Sequence, residues 1–139
     1  MIVDDKIQEI ETYVKELKGF IPIDFEEYKK DHKTKAACER YFEKIVESVI
    51  DLTFLILKDQ GLSIPEEEKQ GFDVLKDKGI ISDKMSRRLK EAKGMRNIIA
   101  HQYGAVDDKV VFHSITEELV DDIEDFISEI NNHLDRGKK

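Results

Sequence analysis

The chain has one cysteine, two prolines, few aromatic residues and no long apolar run. Each scarcity removes a class of protein. Cys38 alone closes no internal disulfide, which agrees with a reducing compartment. No stretch approaches the ~20 apolar residues that span a bilayer, so no membrane association is expected. The start Met1-Ile2-Val3-Asp4-Asp5-Lys6 turns acidic at once and lacks the basic region and apolar core of a signal peptide. A cytoplasmic protein is expected. His32, His113, His133 and Cys38 stand in no metal-ligand spacing, and HExxH, CxxC and facial carboxylate patterns are absent. No resident metal or cofactor is expected. The absence of a glycine-rich phosphate loop argues against P-loop or Rossmann nucleotide binding. The absence of a nucleophile-elbow sequence argues against a serine triad.

What is present is helical spacing. At 139 residues the chain is most simply one domain over 1–139. A chain of this length buries roughly two-thirds of its unfolded surface, enough for a core without staples. Val3, Ile7, Ile10, Val14 and Leu17 recur every three or four residues and predict a first helix, stopped at Gly19. Asp24 caps the next helical region, which runs to about Gln60 and breaks or kinks at Asp31-His32-Lys33-Thr34. From Phe42 to Leu57 its apolar surface is broader than one face needs, which marks the central, most buried helix. Ser63 and Glu66 have capping-box spacing for a helix to about Lys78, with Gly61 and Gly79 as stops. Ser82 or Asp83 caps the next helix. The last helix carries Phe112, Ile115, Leu119, Ile123, Phe126, Ile130 and Leu134, and Arg136 to Lys139 read as a frayed tail. Short loops favour antiparallel packing, so the expected fold is an all-α antiparallel bundle of about five helices. The surplus apolar surface of the central helix points to a two-fold homodimer.

The net charge of −8 argues against a generic nucleic-acid-coating protein, but it is unevenly spread. Lys84, Arg87, Arg88, Lys90, Lys93 and Arg96 face one acid, Glu91, in their stretch. From Thr116 to Leu134 there are seven acids and no Lys or Arg. The basic stretch suits phosphate, although Lys90 and Lys93 fit a solvated helix face equally well.

Met85, Leu89, Ala92 and Ile99 lie on one apolar stripe, and Arg96 falls inside it. An arginine there is costly to desolvate unless it meets a partner or faces a polar groove. His101 follows, the side chain best suited to move protons near neutral pH. The two are about 140° apart on an ideal helix. Joint work therefore needs the helix to end or tighten near Ala100, or a pairing across a two-fold. Otherwise Arg96 is a buried, paired arginine and His101 a surface histidine. Asn97 is placed to bond His101 or a phosphate, or to serve as a plain cap residue. Tyr103 either lids the core or offers a reactive hydroxyl. Glu43, Glu47 and Asp51 recur every four residues, as a solvated stripe or as partners for Arg96 or Arg88.

The run Arg96-Asn97-Ile98-Ile99-Ala100-His101-Gln102-Tyr103 resembles the Arg-X4-His-X-Tyr signature of the HEPN superfamily, and more narrowly the HepT-like toxins. The resemblance extends over nearly the whole chain. It takes in Ala37-Cys38-Glu39-Arg40-Tyr41-Phe42, Glu47 and Asp51 in the central helix. It also takes in Leu75, Gly79-Ile80-Ile81 and Val106-Asp107. It implies an all-α homodimer and metal-independent endoribonuclease activity, in a type II/VII-like toxin–antitoxin pair with a minimal nucleotidyltransferase. That partner transfers AMP to the signature tyrosine, here Tyr103. Arg96 and His101 are then the catalytic pair, with Asn97, Glu47 and Asp51 supporting them. Arg87, Arg88 and Lys93 guide RNA, whose contribution is mainly salt-sensitive affinity. The rival expectation is a non-catalytic module that binds a nucleotide or docks the nucleotidyltransferase.

Overall fold

The computed structural model describes residues 2–101 and 107–137, with side chains as far as Leu134. Seven α-helical segments make up the described fold: α1 Ile2–Phe20, α2 Phe25–Lys30, α3 His32–Asp59, α4 Glu68–Asp77, α5 Asp83–His101, α6 Asp108–His113 and α7 Val120–Gly137. A π-helical turn, Ser114–Leu119, joins the last two. Counted as rods, α2–α3 and α6–α7 are each one interrupted element. The five-helix bundle expected from periodicity is therefore what forms.

The local signals account for most boundaries. Asp24 Oδ1 accepts from Glu27 N at 2.9 Å and starts α2. Asp31 ends α2 and caps α3, accepting from Thr34 N at 3.1 Å, so the weakly helical patch is a cap-to-cap break. After α3 and α4 the chain turns through Gly61 (φ 69) and Gly79 (φ 73). At each turn a residue beyond the glycine bonds back five positions, Leu62 N to Leu57 O at 2.8 Å and Ile80 N to Leu75 O at 2.9 Å. Both pairs bring apolar side chains together over the helix end, the contact that completes this kind of stop.

Three boundaries differ from the expectation. α1 passes through Gly19 and ends at Phe20, because Pro22, not the glycine, prevents its continuation. α4 starts at Glu68 instead of near Ser63. Gln70 Oε1 accepts from Glu67 N at 3.4 Å, and this local bond sets the start that Ser63 and Glu66 were expected to set. Helix α7 continues through Gly137, so the fraying expected from Arg136 does not begin there; residues 138–139 lie outside those described.

Helix α3 is the axis of the bundle. It packs against α1, α2, α4, α5 and the π turn. Phe42, Ile45, Val46, Val49, Leu52, Ile56 and Leu57 are all buried, which explains an apolar surface wider than one neighbour requires. Helix α4 lies close on it at Gly71. A Cβ there would sit 3.0 Å from Thr53 Cγ2, so any larger residue would press on Thr53 at this approach. In the last rod, Val111, Ile115, Leu119 and Ile123 are buried at strict four-residue intervals. In a pure α-helix three such steps drift by about 120°. The π turn at Ser114–Leu119 absorbs the extra angle and keeps the four on the core.

Candidate functional site

Helix α5 is started by Ser82, whose Oγ accepts from Met85 N at 3.0 Å. Met85, Leu89 and Ile99 are buried against the core, and Ala92 is partly buried between them. The same phase carries Arg96 inward until its side chain is 17% exposed. It does not remain unpaired. Nη2 donates to Glu68 Oε1 at 3.3 Å, and Nη1 stands 3.7 Å from Glu47 Oε1. Lys93 Nζ approaches the same Glu68 oxygen at 3.8 Å. Arg96 Nε is buried and has no hydrogen-bond partner among the described residues.

The carboxylate stripe of α3 therefore divides. Glu47 meets Arg96. Asp51 turns to α1, 3.8 Å from Lys6 Nζ, and Glu43 accepts from Arg40 at 3.1 Å. Glu68, the carboxylate nearest to Arg96, is not visible as a partner in the sequence. It sits in a run of exposed polar residues with no pattern of its own, and only the docking of α4 beside α5 brings it there.

His101 is exposed at the end of α5, which stays α-helical through that residue. Arg96 and His101 of one chain are thus about 140° apart around the axis and about 7.5 Å apart along it. Asn97 is half-buried beside Arg96. Tyr103 lies outside the described residues. The chain resumes at Asp107, whose carboxylate accepts from Lys109 N and caps α6. Near His101, Ile98 is 54% exposed, and at the start of α6 Val110 is 49% exposed.

The basic stretch of α5 is not a bare cationic face. Five of its six bases lie within 4 Å of a carboxylate: Arg87 with Asp83, Arg88 with Asp122 and Asp125, Lys90 with Asp73, and Lys93 and Arg96 with Glu68. The Arg88 pairs, at 3.2 and 3.9 Å, join α5 to the acidic α7. The basic stretch is therefore matched by carboxylates of α5 itself, α4 and α7, with Arg88 alone pairing to the acidic last helix. Burial still holds the Asp122 carboxyl above its ordinary range, although Arg88 pulls the other way. These residues border a cleft of about 230 Å³ between α5, α6 and the π turn, floored by Phe42, Met95 and Leu119. Among the described residues no group of three or more His, Cys, Asp or Glu is gathered to hold a metal ion. Nor, among the described residues, is any helix long and apolar enough to cross a membrane.

The sequence and the fold have counterparts among known proteins. The chain is 28% identical over 129 residues to the mRNA nuclease HepT of Shewanella oneidensis, covering 93% of this chain and 96% of that one. It is 23% identical over 134 residues to the tRNA nuclease HepT of Aphanizomenon flos-aquae, covering 96% and 90%. The fold superposes on the solved structure of a tri-AMPylated Shewanella oneidensis HEPN toxin in complex with MNT antitoxin. The TM-score is 0.86 at 27% identity, covering 94% of this chain and 97% of that one. The Ribonuclease HepT-like family profile matches residues 10–130. That span runs from the first helix to the last and includes the whole stretch from Arg96 to Tyr103, and the chain belongs to the Ribonuclease HepT-like family.

Proposed function

We propose that this protein is the RNA-cleaving toxin of a toxin–antitoxin pair and that Arg96 and His101 carry its chemistry. One observation above all supports the assignment. Arg96 enters an apolar helix face, at a desolvation cost, and ends against two half-exposed carboxylates at the protein surface instead of inside a closed core. A guanidinium held in that way has its planar fork oriented before an anion arrives.

The reaction needs no metal if the ribose 2′-hydroxyl attacks its own phosphate. The 2′-oxygen–phosphorus bond forms, the bond from phosphorus to the 5′-oxygen breaks, and a proton moves from the first oxygen to the second. His101, exposed at the helix end, is the proton carrier. Arg96 binds the phosphate and stabilises the charge that grows on its oxygens. Because the two side chains of one chain face different directions, the site is completed by a homodimer in which Arg96 and His101 of both copies face one cleft. The exposed Ile98 and half-exposed Val110 supply apolar surface for that contact. Asn97 positions substrate or His101, and Glu47 orients Arg96. Asp51 supports the site only indirectly, through Lys6 and α1. Arg87, with a side chain 69% exposed, is best placed of Arg87, Arg88 and Lys93 to guide RNA along the surface. The partner is a minimal nucleotidyltransferase, which silences the toxin by AMP transfer to Tyr103. The relative's structure, an AMPylated toxin bound to its MNT antitoxin, supports that pairing.

The test is cleavage of a labelled RNA by the purified, partner-free protein in excess EDTA. Wild type is expected to cut. Arg96→Ala and His101→Ala should each lose about 10²–10⁴-fold while circular dichroism stays unchanged. A folded wild type that binds RNA without cutting it would favour the non-catalytic module. Activity that vanishes with chelator and returns with a divalent ion would refute the mechanism.

A further inference from the structure

Arg96 Nη2 donates to Glu68, Nη1 lies 3.7 Å from Glu47, and Nε is buried. Both Nη groups thus stand against carboxylates, and an arriving phosphate meets like charge at the guanidinium unless one carboxylate leaves. The structure assigns that role to Glu68: it is a displaceable anion seated where RNA phosphate binds, between Lys93 and Arg96. The assignment rests on the ribonuclease reading above and adds to it a residue that sets affinity for substrate.

Three observations bear on Glu68 as the displaced anion, and the first two separate it from Glu47. The first concerns the backbone beneath each. Glu47 stands in the middle of α3, between buried Val46 and Ser48, on the most enclosed helix of the bundle. Glu68 is the first residue of the ten-residue α4, and residues 66–70 are all exposed. Glu68 can swing outward without disturbing packing, whereas the Glu47 backbone is fixed. The second concerns what each leaves behind. Two cations meet on Glu68 Oε1, Arg96 at 3.3 Å and Lys93 at 3.8 Å. Withdrawal of Glu68 exposes both toward one point, the arrangement that suits a phosphate oxygen. Withdrawal of Glu47 exposes Arg96 alone. The third is the local charge. Arg96 and Lys93 are balanced by Glu47 and Glu68, so the closed cluster offers phosphate no net attraction. With Glu68 turned away it carries one positive charge. The side chains of Lys93 and Arg96 are 18% and 17% exposed, so both heads are held near that point by their packed stems.

The sign of the effect distinguishes this role from a merely supporting one. A residue that only orients Arg96 weakens RNA binding when it is neutralised. A competing anion strengthens binding when it is neutralised. The experiment measures fluorescence anisotropy of a labelled 2′-O-methyl RNA oligonucleotide, which binds without being cut. Wild type, Glu68→Gln, Glu68→Ala and Glu47→Gln are compared at low and moderate salt. Both Glu68 variants should bind about three- to tenfold tighter than wild type at low salt, and the gain should shrink as salt rises. In a Lys93→Ala background the same substitution should gain less, because one of the two released cations is gone. Glu47→Gln should not tighten binding. If Glu68→Gln and Glu68→Ala, shown to be folded by circular dichroism, bind no tighter than wild type, the assignment is wrong while the ribonuclease reading stands. If neither wild type nor any variant binds or cuts RNA, the ribonuclease reading fails and takes this inference with it.

Discussion

Replacing Arg96 by methionine should leave the fold as stable as before, or more stable, while abolishing RNA cleavage. The guanidinium occupies a mostly covered site with Nε buried and unbonded among the described residues. An unpaired buried donor costs about 1–3 kcal/mol. Against that stand two ion pairs, at 3.3 and 3.7 Å, whose carboxylates are 47% and 44% exposed. Pairs screened to that degree are worth about 0.2–1 kcal/mol each. Methionine keeps an unbranched apolar stem in the same stripe as Ala92 and Ile99, so little packing is lost. The balance runs from about 1 kcal/mol against methionine to about 2.5 kcal/mol in its favour, centred on a modest gain. For a domain of this size 1 kcal/mol moves Tm by about 3–5 °C. Cleavage, in contrast, loses the group that holds the phosphate, a loss of about 10²–10³-fold. The assay pairs a thermal melt with single-turnover cleavage of labelled RNA. Protein concentration is held fixed, because the proposed dimer would make Tm depend on it. A fall in Tm beyond about 5 °C would show that the ion pairs outweigh the orphan donor. Cleavage within about tenfold of wild type would remove Arg96 from the mechanism.

Tyr103→Phe should fold normally, cut RNA, and resist silencing by the nucleotidyltransferase. Intact-mass measurement after incubation with partner and ATP should show added AMP on wild type only, and equal silencing of both proteins would mean that inhibition works by occlusion. Burial pushes the Cys38 thiol up to about 11, so native protein at about pH 8 should resist iodoacetamide that reacts readily after denaturation. Rapid native labelling would contradict its placement in the core. Asp122 tests the contact between α5 and α7. Its carboxyl is raised chiefly by burial, so the fold favours the protonated form, and ionisation costs stability as pH climbs from about 4 through the raised value. The stability of Asp122→Asn relative to wild type should therefore improve as pH rises over that window. Denaturant melts at several pH values would show a flat difference if Asp122 were fully solvated.

The helices and their ends were legible because they follow from chemistry within a few residues. The spacing of Ile7, Ile10, Val14 and Leu17 fixes the buried face of α1, and Asp24 caps α2 with its own carboxylate. Gly61 and Gly79 stop helices because each supplies the positive φ that the turn requires. Signals of equal weight misled where a stronger neighbour was present: Pro22 overrode Gly19, and the Glu67–Gln70 bond replaced the start expected at Ser63. The π turn was not legible, because four-residue spacing from Val111 to Ile123 also fits a drifting α-helix until the core they share is known.

The site divides along the same line. That Arg96 faces inward follows from its phase with Met85, Leu89, Ala92 and Ile99, and phase is a property of the chain itself. The likeness of the stretch from Arg96 to Tyr103 to the HepT-like signature is equally a property of the sequence. Which carboxylates receive Arg96 is not. Glu47 lies 49 residues before it and Glu68 lies 28 residues before it, and Asp51, one turn from Glu47, goes to Lys6 instead. For Arg88 the sequence offered RNA or the carboxylates of α3, and the packing of α7 supplied Asp122 and Asp125 instead. Helical phase and caps depend on backbone geometry over a turn or two, so the sequence alone determines them. Ion-pair partners depend on how closely whole helices approach, as α4 does on α3 where Gly71 meets Thr53, and only the packed tertiary structure decides that.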